Sequence, residues 1–182
     1  MINFFNKLDQ NLFLWMNGFH APFLDHVMVF LSGQLIWIPL IAFFIWKAKI
    51  TLSLKQLGIF TVFLILALVL SDVTSSYILK NIVERMRPCR LDELKPLIHQ
   101  FGQKCGGKYG FVSSHAANAT ALIFFSLSNL KLTERFRLVW ILVALVCFSR
   151  IYLGVHYPGD IAGGCLVGFF WAWTLTYVYR RT

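Results

Sequence analysis

Apolar runs long enough to cross a bilayer recur along this chain, and short polar stretches separate them. A hydrocarbon core of about 30 Å asks for about 20 helical residues, each rising about 1.5 Å. In lipid every backbone polar group must be paired internally, which leaves helices and closed barrels as the spanning structures. Residues 25–46, 57–79, 113–130, 138–152 and 159–179 read as five spans of the helical kind. Residues 3–17 are too short and too mixed to cross, and read as an amphipathic helix lying in the interface. The expected fold is all-α: a polytopic helical membrane bundle in one domain over residues 1–182, with about five transmembrane helices and the N-terminal interfacial helix.

Composition agrees. The chain is 58% hydrophobic and 14% charged, against about 45–50% and about 25% in soluble domains. A formal charge of +9 would suggest nucleic acid in a soluble protein. Here the basic residues gather between apolar runs, where orientation signals and anionic headgroups account for them, and no nucleic-acid partner is expected. The N-terminus does not read as a signal peptide.

Counting alternations places the loops at 47–55 and 129–137 and the C-terminus on one side. They carry Lys47, Lys49, Lys55, Lys131, Arg135, Arg137, Arg180 and Arg181 against Glu134 alone, an excess that marks a cytoplasmic face. The long polar connection, residues 88–112, then lies outside. Cys89 and Cys105 bracket part of it and read equally well as a disulfide or as two free thiols, whereas Cys147 and Cys165 sit in apolar runs. No cysteine or histidine spacing suits a metal.

The same alternation brings three polar clusters to the outer face. Lys80 and Arg87 end the second span, where Asp72, Ser76 and Lys80 form a stripe at every fourth residue. Asp72 reads as a buried structural hydrogen-bonding group, although an ionisable residue in a span is also a functional candidate. Ser113, Ser114 and His115 open the third span, the serines at the N-cap, where an ordinary cap is the simpler reading and an anion seat the other. Arg150, His156 and Asp160 lie in SRIYLGVHYPGD at the junction of the last two spans. His156 and Asp160, four apart, meet on a helix or across the turn that Tyr157-Pro158-Gly159 suggests. Alone, that segment reads equally as a phosphate site and as a polar helix end. Two arginines and a lysine can hold phosphoryl oxygens, and a histidine can deliver a proton.

At these residues the chain resembles the type 2 phosphatidic-acid phosphatase superfamily of lipid phosphatases and haloperoxidases. That family carries K-x6-R-P, P-S-G-H and S-R-x5-H-x3-D in order. Here they stand as Lys80 to Arg87-Pro88, Val112-Ser113-Ser114-His115, and Ser149-Arg150 to His156 and Asp160. The first and third match at every fixed position; Val112 and Ser114 replace the proline and glycine of the second.

The resemblance implies catalysis by His156 as nucleophile, Asp160 as its orienter and His115 as proton donor. It further implies phosphate binding by Lys80, Arg87, Ser113, Ser114 and Arg150, with no metal and no cofactor. The implied substrate is a membrane lipid phosphate or diphosphate, met at the outer face of a bacterial inner membrane. Undecaprenyl diphosphate ranks first, with phosphatidylglycerol phosphate, phosphatidic acid and lipid A as alternatives. A lipid phosphotransferase and a non-catalytic lipid-phosphate binder are the readings from other classes. Arg85, Arg90, Lys95, Lys104 and Lys108 around the mouth read mostly as solvated charges.

Overall fold

The computed structural model describes residues 2–33, 35–102, 105–130, 132 and 138–182. Lys104, Lys131, Glu134, Arg135 and Arg137 lie outside the described residues. Among those described, the architecture is all-helical: α1 (Ile2–Asn17), α2 (Pro22–Ser32), α3 (Trp37–Thr51), α4 (Leu54–Val73), α5 (Lys80–Val83), α6 (Ser114–Asn129), α7 (Val139–Tyr152) and α8 (Pro158–Tyr179).

α1 has the expected two-sided character. Phe4, Phe5, Leu8, Leu12 and Trp15 are exposed, while Phe13 is fully buried and stands edge-on to the Tyr157 ring at 5.3 Å. Asn17 closes it with a side-chain amide that donates to the carbonyls of His99 (3.1 Å), Ile151 (3.0 Å) and Tyr152 (2.8 Å). The amide thereby pairs carbonyls at the C-terminus of α7 that the helix itself leaves open.

The expected first span, 25–46, is two helices rather than one. α2 ends at Ser32 and α3 begins at Trp37, with a bend of 53° between them. Pro39 explains the restart: it is the third residue of α3, in the first turn, where its missing N–H would have no intrahelical acceptor. The supposed loop at 47–55 shrinks to Leu52-Ser53, so Lys47 and Lys49 ride on the last turns of α3 and Lys55 on the first of α4.

α4 starts at a capping box. Ser53 Oγ accepts from the Gln56 N–H (3.4 Å), and Gln56 Oε1 from the Ser53 N–H (3.1 Å). It runs through a π-helical turn, Thr74–Leu79, into α5, giving 30 continuous helical residues. The second span is therefore longer than expected and carries Lys80 on helix. Glu84, in the left-handed region at φ 51°, ends it.

α4–α5 and α8 are each long and apolar enough to cross a membrane, and α2 with α3 adds a third if the bent pair counts as one. α6 and α7 fall where expected but have 16 and 14 residues, short of the usual span. α6 is the core of the bundle, with Ala116, Ala119, Leu122, Ile123 and Phe125 buried. Gly164 and Gly168 bring α8 onto it. A Cβ at either would strike the Ser113 or Ala117 carbonyl oxygen, the close approach that small residues four apart allow between membrane helices.

Candidate active site

Motif one reaches the site by changing conformation. After Glu84 the chain extends, and Arg85–Arg87 runs antiparallel to 108–110: the Gly110 N–H donates to the Arg85 carbonyl (2.8 Å) and the Arg87 N–H to the Lys108 carbonyl (3.4 Å). Alternate residues of an extended segment share a side, and Arg85 and Arg87 both turn toward the motif-three residues. Arg87 is buried; its Nε donates to the Tyr109 carbonyl (3.1 Å), and its Nη1 lies 3.4 Å from the Val155 carbonyl and 3.2 Å from His156 Nε2. Burial pulls the Arg87 pKa below its ordinary value, with Asp160 acting against that shift.

Motif three meets these groups at the start of α8. Tyr157 is the N-cap and Pro158 the first helical residue, a position suited to its fixed φ. Asp160 Oδ2 accepts from the Tyr157 N–H (3.0 Å) and stands 3.3 Å from His156 Nδ1; Oδ1 accepts from Arg85 Nη1 (2.9 Å). The histidine and aspartate thus meet across the turn, not on a shared helix. His156 is 2% exposed and Asp160 0%. A proton on Nδ1 satisfies the carboxylate, which assigns the tautomer and leaves the Nε2 lone pair facing Arg87. The His156 pKa lies well below 6.5, first because of burial and then because of Arg87, Arg150 and Lys80. Its imidazole is neutral at neutral pH.

Motif two closes the ring. The Ser113 N–H donates to the Asp160 carbonyl (2.9 Å). Ser113 occupies the N-cap of α6, but its side chain makes no capping bond. Its Oγ is buried without a hydrogen-bond partner among the described residues, so the cap reading fails and the hydroxyl remains available. Ser114 Oγ accepts from Lys80 Nζ (2.9 Å) and lies 2.8 Å from Ser76 Oγ. His115 lies within electrostatic reach of Arg150, His156 and Lys80, beside a cavity of about 250 Å³ lined by Trp37, Asp72, Ser114, His115 and Asn118. All eight expected site residues therefore gather at one end of the bundle. Among the described residues no group of three or more metal-ligating side chains occurs.

Two partners escaped the sequence reading. Arg85, read there as a solvated charge, bridges Asp160 to Asp9 of α1 (2.7 Å) and lies over the Tyr157 ring at 4.0 Å. Its i, i+2 relation to Arg87 is the signal that could have found it. Arg150 Nη1 donates to Ser32 Oγ and lies 3.4 Å from the Ser32 carbonyl; nothing in the sequence near Ser32 announces this. Among the described residues, the other mouth residues fit the solvated reading, with exposed Arg90 donating to the Gly106 carbonyl. Lys95 pairs with exposed Asp92 at 2.6 Å, and Lys108 lies 5.1 Å from the Tyr109 ring centre. Cys89 and Cys105 are joined, with Cα atoms 5.9 Å apart, which closes the alternative left open above.

Comparison with known proteins identifies the family. Residues 58–182 match the PAP2 superfamily. A lipid A 4'-phosphatase of Bacteroides thetaiotaomicron is 30% identical over 100% of this chain and 81% of its own length. An undecaprenyl-diphosphatase of Sulfolobus acidocaldarius is 30% identical over 88% of this chain and 73% of its own. The crystal structure of a transmembrane PAP2 type phosphatidylglycerolphosphate phosphatase from Bacillus subtilis shares the fold, with a TM-score of 0.69 at 21% identity over 98% of this chain and 88% of that one. Family match and shared fold cover the motifs and the helices that carry them, and the chain belongs to the PAP2 superfamily as an integral-membrane phosphoric ester hydrolase.

Proposed function

We propose that this protein is a metal-independent phosphatase of lipid phosphates or diphosphates that works through a phosphohistidine. The observation that carries the reading is the double constraint on His156: Asp160 holds Nδ1 at 3.3 Å while Nε2 faces Arg87 at 3.2 Å. Nε2 attacks phosphorus and forms the P–N bond as the ester or anhydride P–O bond breaks. His115 gives its proton to the departing oxygen. Water then gives a proton back to His115 as its oxygen attacks phosphorus, the P–N bond breaks, and inorganic phosphate leaves with both histidines in their starting states. Lys80, Arg87 and Arg150, the Ser113 hydroxyl and the Ser114 N–H hold the equatorial oxygens, so fixed cations take the charge that a divalent ion takes elsewhere.

The reading places the site at the outer face of a bacterial inner membrane, in one domain with five crossings and α1 in the interface. The Cys89–Cys105 disulfide beside the site supports an oxidising side, and Lys47, Lys49, Lys55, Arg180 and Arg181 at the opposite end support a cytoplasmic one. For the substrate, undecaprenyl diphosphate has the Sulfolobus relative in its favour, and a lipid A phosphate has the Bacteroides relative, which aligns with the whole chain. The test is phosphate release by purified protein from a panel of lipid phosphates and diphosphates. Activity should survive EDTA, and 32P from labelled substrate should be trapped on wild type and not on His156→Ala. Appreciable phosphate release by His156→Ala would remove the nucleophile assignment.

A further inference from the structure

The three arginines around the site are held in two different ways. Arg85 lies between two carboxylates, Asp9 (2.7 Å) and Asp160 (2.9 Å). Arg87 and Arg150, the two arginines of the phosphate seat, donate to neutral oxygens among the described residues. Arg87 uses the Tyr109 and Val155 carbonyls (3.1 and 3.4 Å), and Arg150 Nη1 the Ser32 hydroxyl and, at 3.4 Å, the Ser32 carbonyl. A carboxylate fixes a guanidinium and also cancels its charge. A neutral oxygen fixes it and leaves the charge for an incoming phosphoryl group. The anchors of Arg87 are main chain alone, whereas that of Arg150 includes a side chain.

Ser32 owes its place to the break in the first span. It is the last residue of α2 and 1% exposed, and the carbonyls of a helix's last turn have no intrahelical partner. The Gly33 N–H pairs the Phe30 carbonyl (3.0 Å). The Ser32 carbonyl turns instead toward Arg150 and lies within hydrogen-bonding reach of the His115 ring. A cation is favoured at this end, where the helix dipole is negative. The chain then bends by 53°, and Trp37 at the start of α3 returns beside His115, with 6.4 Å between ring centres. A straight helix through 25–46 would tie the Ser32 carbonyl into its own ladder. Arg87, a like charge, lies within electrostatic reach of Arg150, and a long side chain beside another cation stays put only where acceptors fix it. Building on the phosphatase reading, we infer that Ser32 is a positioning residue: presented by the break between α2 and α3, it sets the Arg150 guanidinium where the phosphoryl oxygens bind, without neutralising it.

The test combines Ser32→Ala, Ser32→Cys and Arg150→Met in purified full-length protein. The readouts are kcat/KM on a lipid phosphate and on p-nitrophenyl phosphate, and the dissociation constant of orthovanadate, a phosphate mimic. Ser32→Ala should lower kcat/KM by about tenfold or more, the worth of one hydrogen bond to a charged group. The factor should be similar on both substrates, because the phosphate seat and not the departing group is disturbed, and vanadate should weaken comparably. Ser32→Cys, which keeps the volume and offers only a weak acceptor, should match Ser32→Ala. Placed on Arg150→Met, Ser32→Ala should cost less than about twofold more, since a residue that acts through Arg150 then has nothing to act on. Losses that multiply in the double variant, a loss confined to the lipid phosphate, or a Ser32→Cys protein with wild-type rates overturns the positioning role while the phosphatase reading stands. A wild type that releases phosphate from neither substrate removes the phosphatase reading, and the role of Ser32 with it.

Discussion

The two histidines of the site stand in opposite surroundings. His156 is 2% exposed and locked between Asp160 and Arg87, which are themselves held by Arg85, by the Tyr157 N–H and by the Tyr109 carbonyl. His115 sits in the first turn of α6 against a cavity of about 250 Å³. In the proposed mechanism the nucleophile performs the same step on every substrate, so a rigid seat serves it, and alignment of that kind is worth orders of magnitude in rate. The acid must meet whatever group departs, and its side of the site is left open. On that proposal, recognition of the phosphoryl group and recognition of the departing group are separated in space.

Removing each histidine gives the sharpest contrast. His156→Ala should lower kcat by about 10⁴-fold or more on every substrate. His115→Ala should cost about 10²–10⁴-fold on a lipid phosphate, whose alkoxide leaves poorly. On p-nitrophenyl phosphate, whose phenolate leaves without help, the His115→Ala loss should shrink strongly and the His156→Ala loss should not. Equal losses on both substrates for both variants would erase the proposed division of labour.

The next test loosens the rigid side without touching the nucleophile. Arg85 joins Asp160 to Asp9 (2.9 and 2.7 Å), and Asp9 Oδ1 also accepts the Gly159 N–H (2.8 Å). α1 is therefore tied to the turn that carries the His156–Asp160 pair. Arg85→Ala should lower kcat by about 10²-fold with KM little changed, since orientation and not binding is lost. Arg85→Lys should recover part of the rate. A loss carried by KM alone, or no rescue by lysine, would show that Arg85 acts on substrate binding or on the fold.

These residues also show what a sequence makes legible. Lys80, Arg87, Ser113, His115, Arg150, His156 and Asp160 stood out because charged and titratable groups are rare between apolar runs, and helix alternation alone put them at one end. Arg85 did not stand out: one guanidinium among several near a loop is ordinary until Asp9, 76 positions earlier by number (85 − 9), is seen beside it. The α2–α3 break was hidden because residues on both sides of it are apolar, and hydropathy cannot tell a bent pair from one straight span. Ser113 was misread for a subtler reason. Its position is that of a cap, and only the folded structure shows its hydroxyl without a capping bond.

The pH profile probes the closed side through its titration. His156 has a pKa well below 6.5, held down by burial first and by the cations next. Its Nε2 therefore stays unprotonated as pH falls through the ordinary histidine range, and the rate of phosphoenzyme formation should show no acid limb from this group near 6.5. Stability responds in that range instead. Below about 6.5 the unfolded chain gains a proton that the folded chain refuses, so folding loses stability as pH falls, and above it the contribution is constant. Arg87→Gln removes one of the depressing charges and should move any acid limb of phosphoenzyme formation upward. A limb that stays in place would mean that Arg87 does not act on His156.

The smallest expected effect on catalysis comes from the Cys89–Cys105 bridge. It closes a segment with a sequence separation of 16, for which the chain-entropy argument gives about 3 kcal/mol of stabilisation. The bridged segment ends just before Lys108, whose carbonyl accepts the Arg87 N–H, and Gly110, whose N–H reaches Arg85. Those backbone pairs, together with Asp160 and Asp9, hold the two arginines without help from sulfur. Cys89→Ser with Cys105→Ser should therefore lower the thermal midpoint by several degrees while kcat on lipid phosphate changes less than about threefold. The same protein treated with reductant should match the double variant. A kcat loss comparable to that of Arg85→Ala would mean that the bridge, and not the Asp9–Arg85–Asp160 chain, sets the closed side of the site.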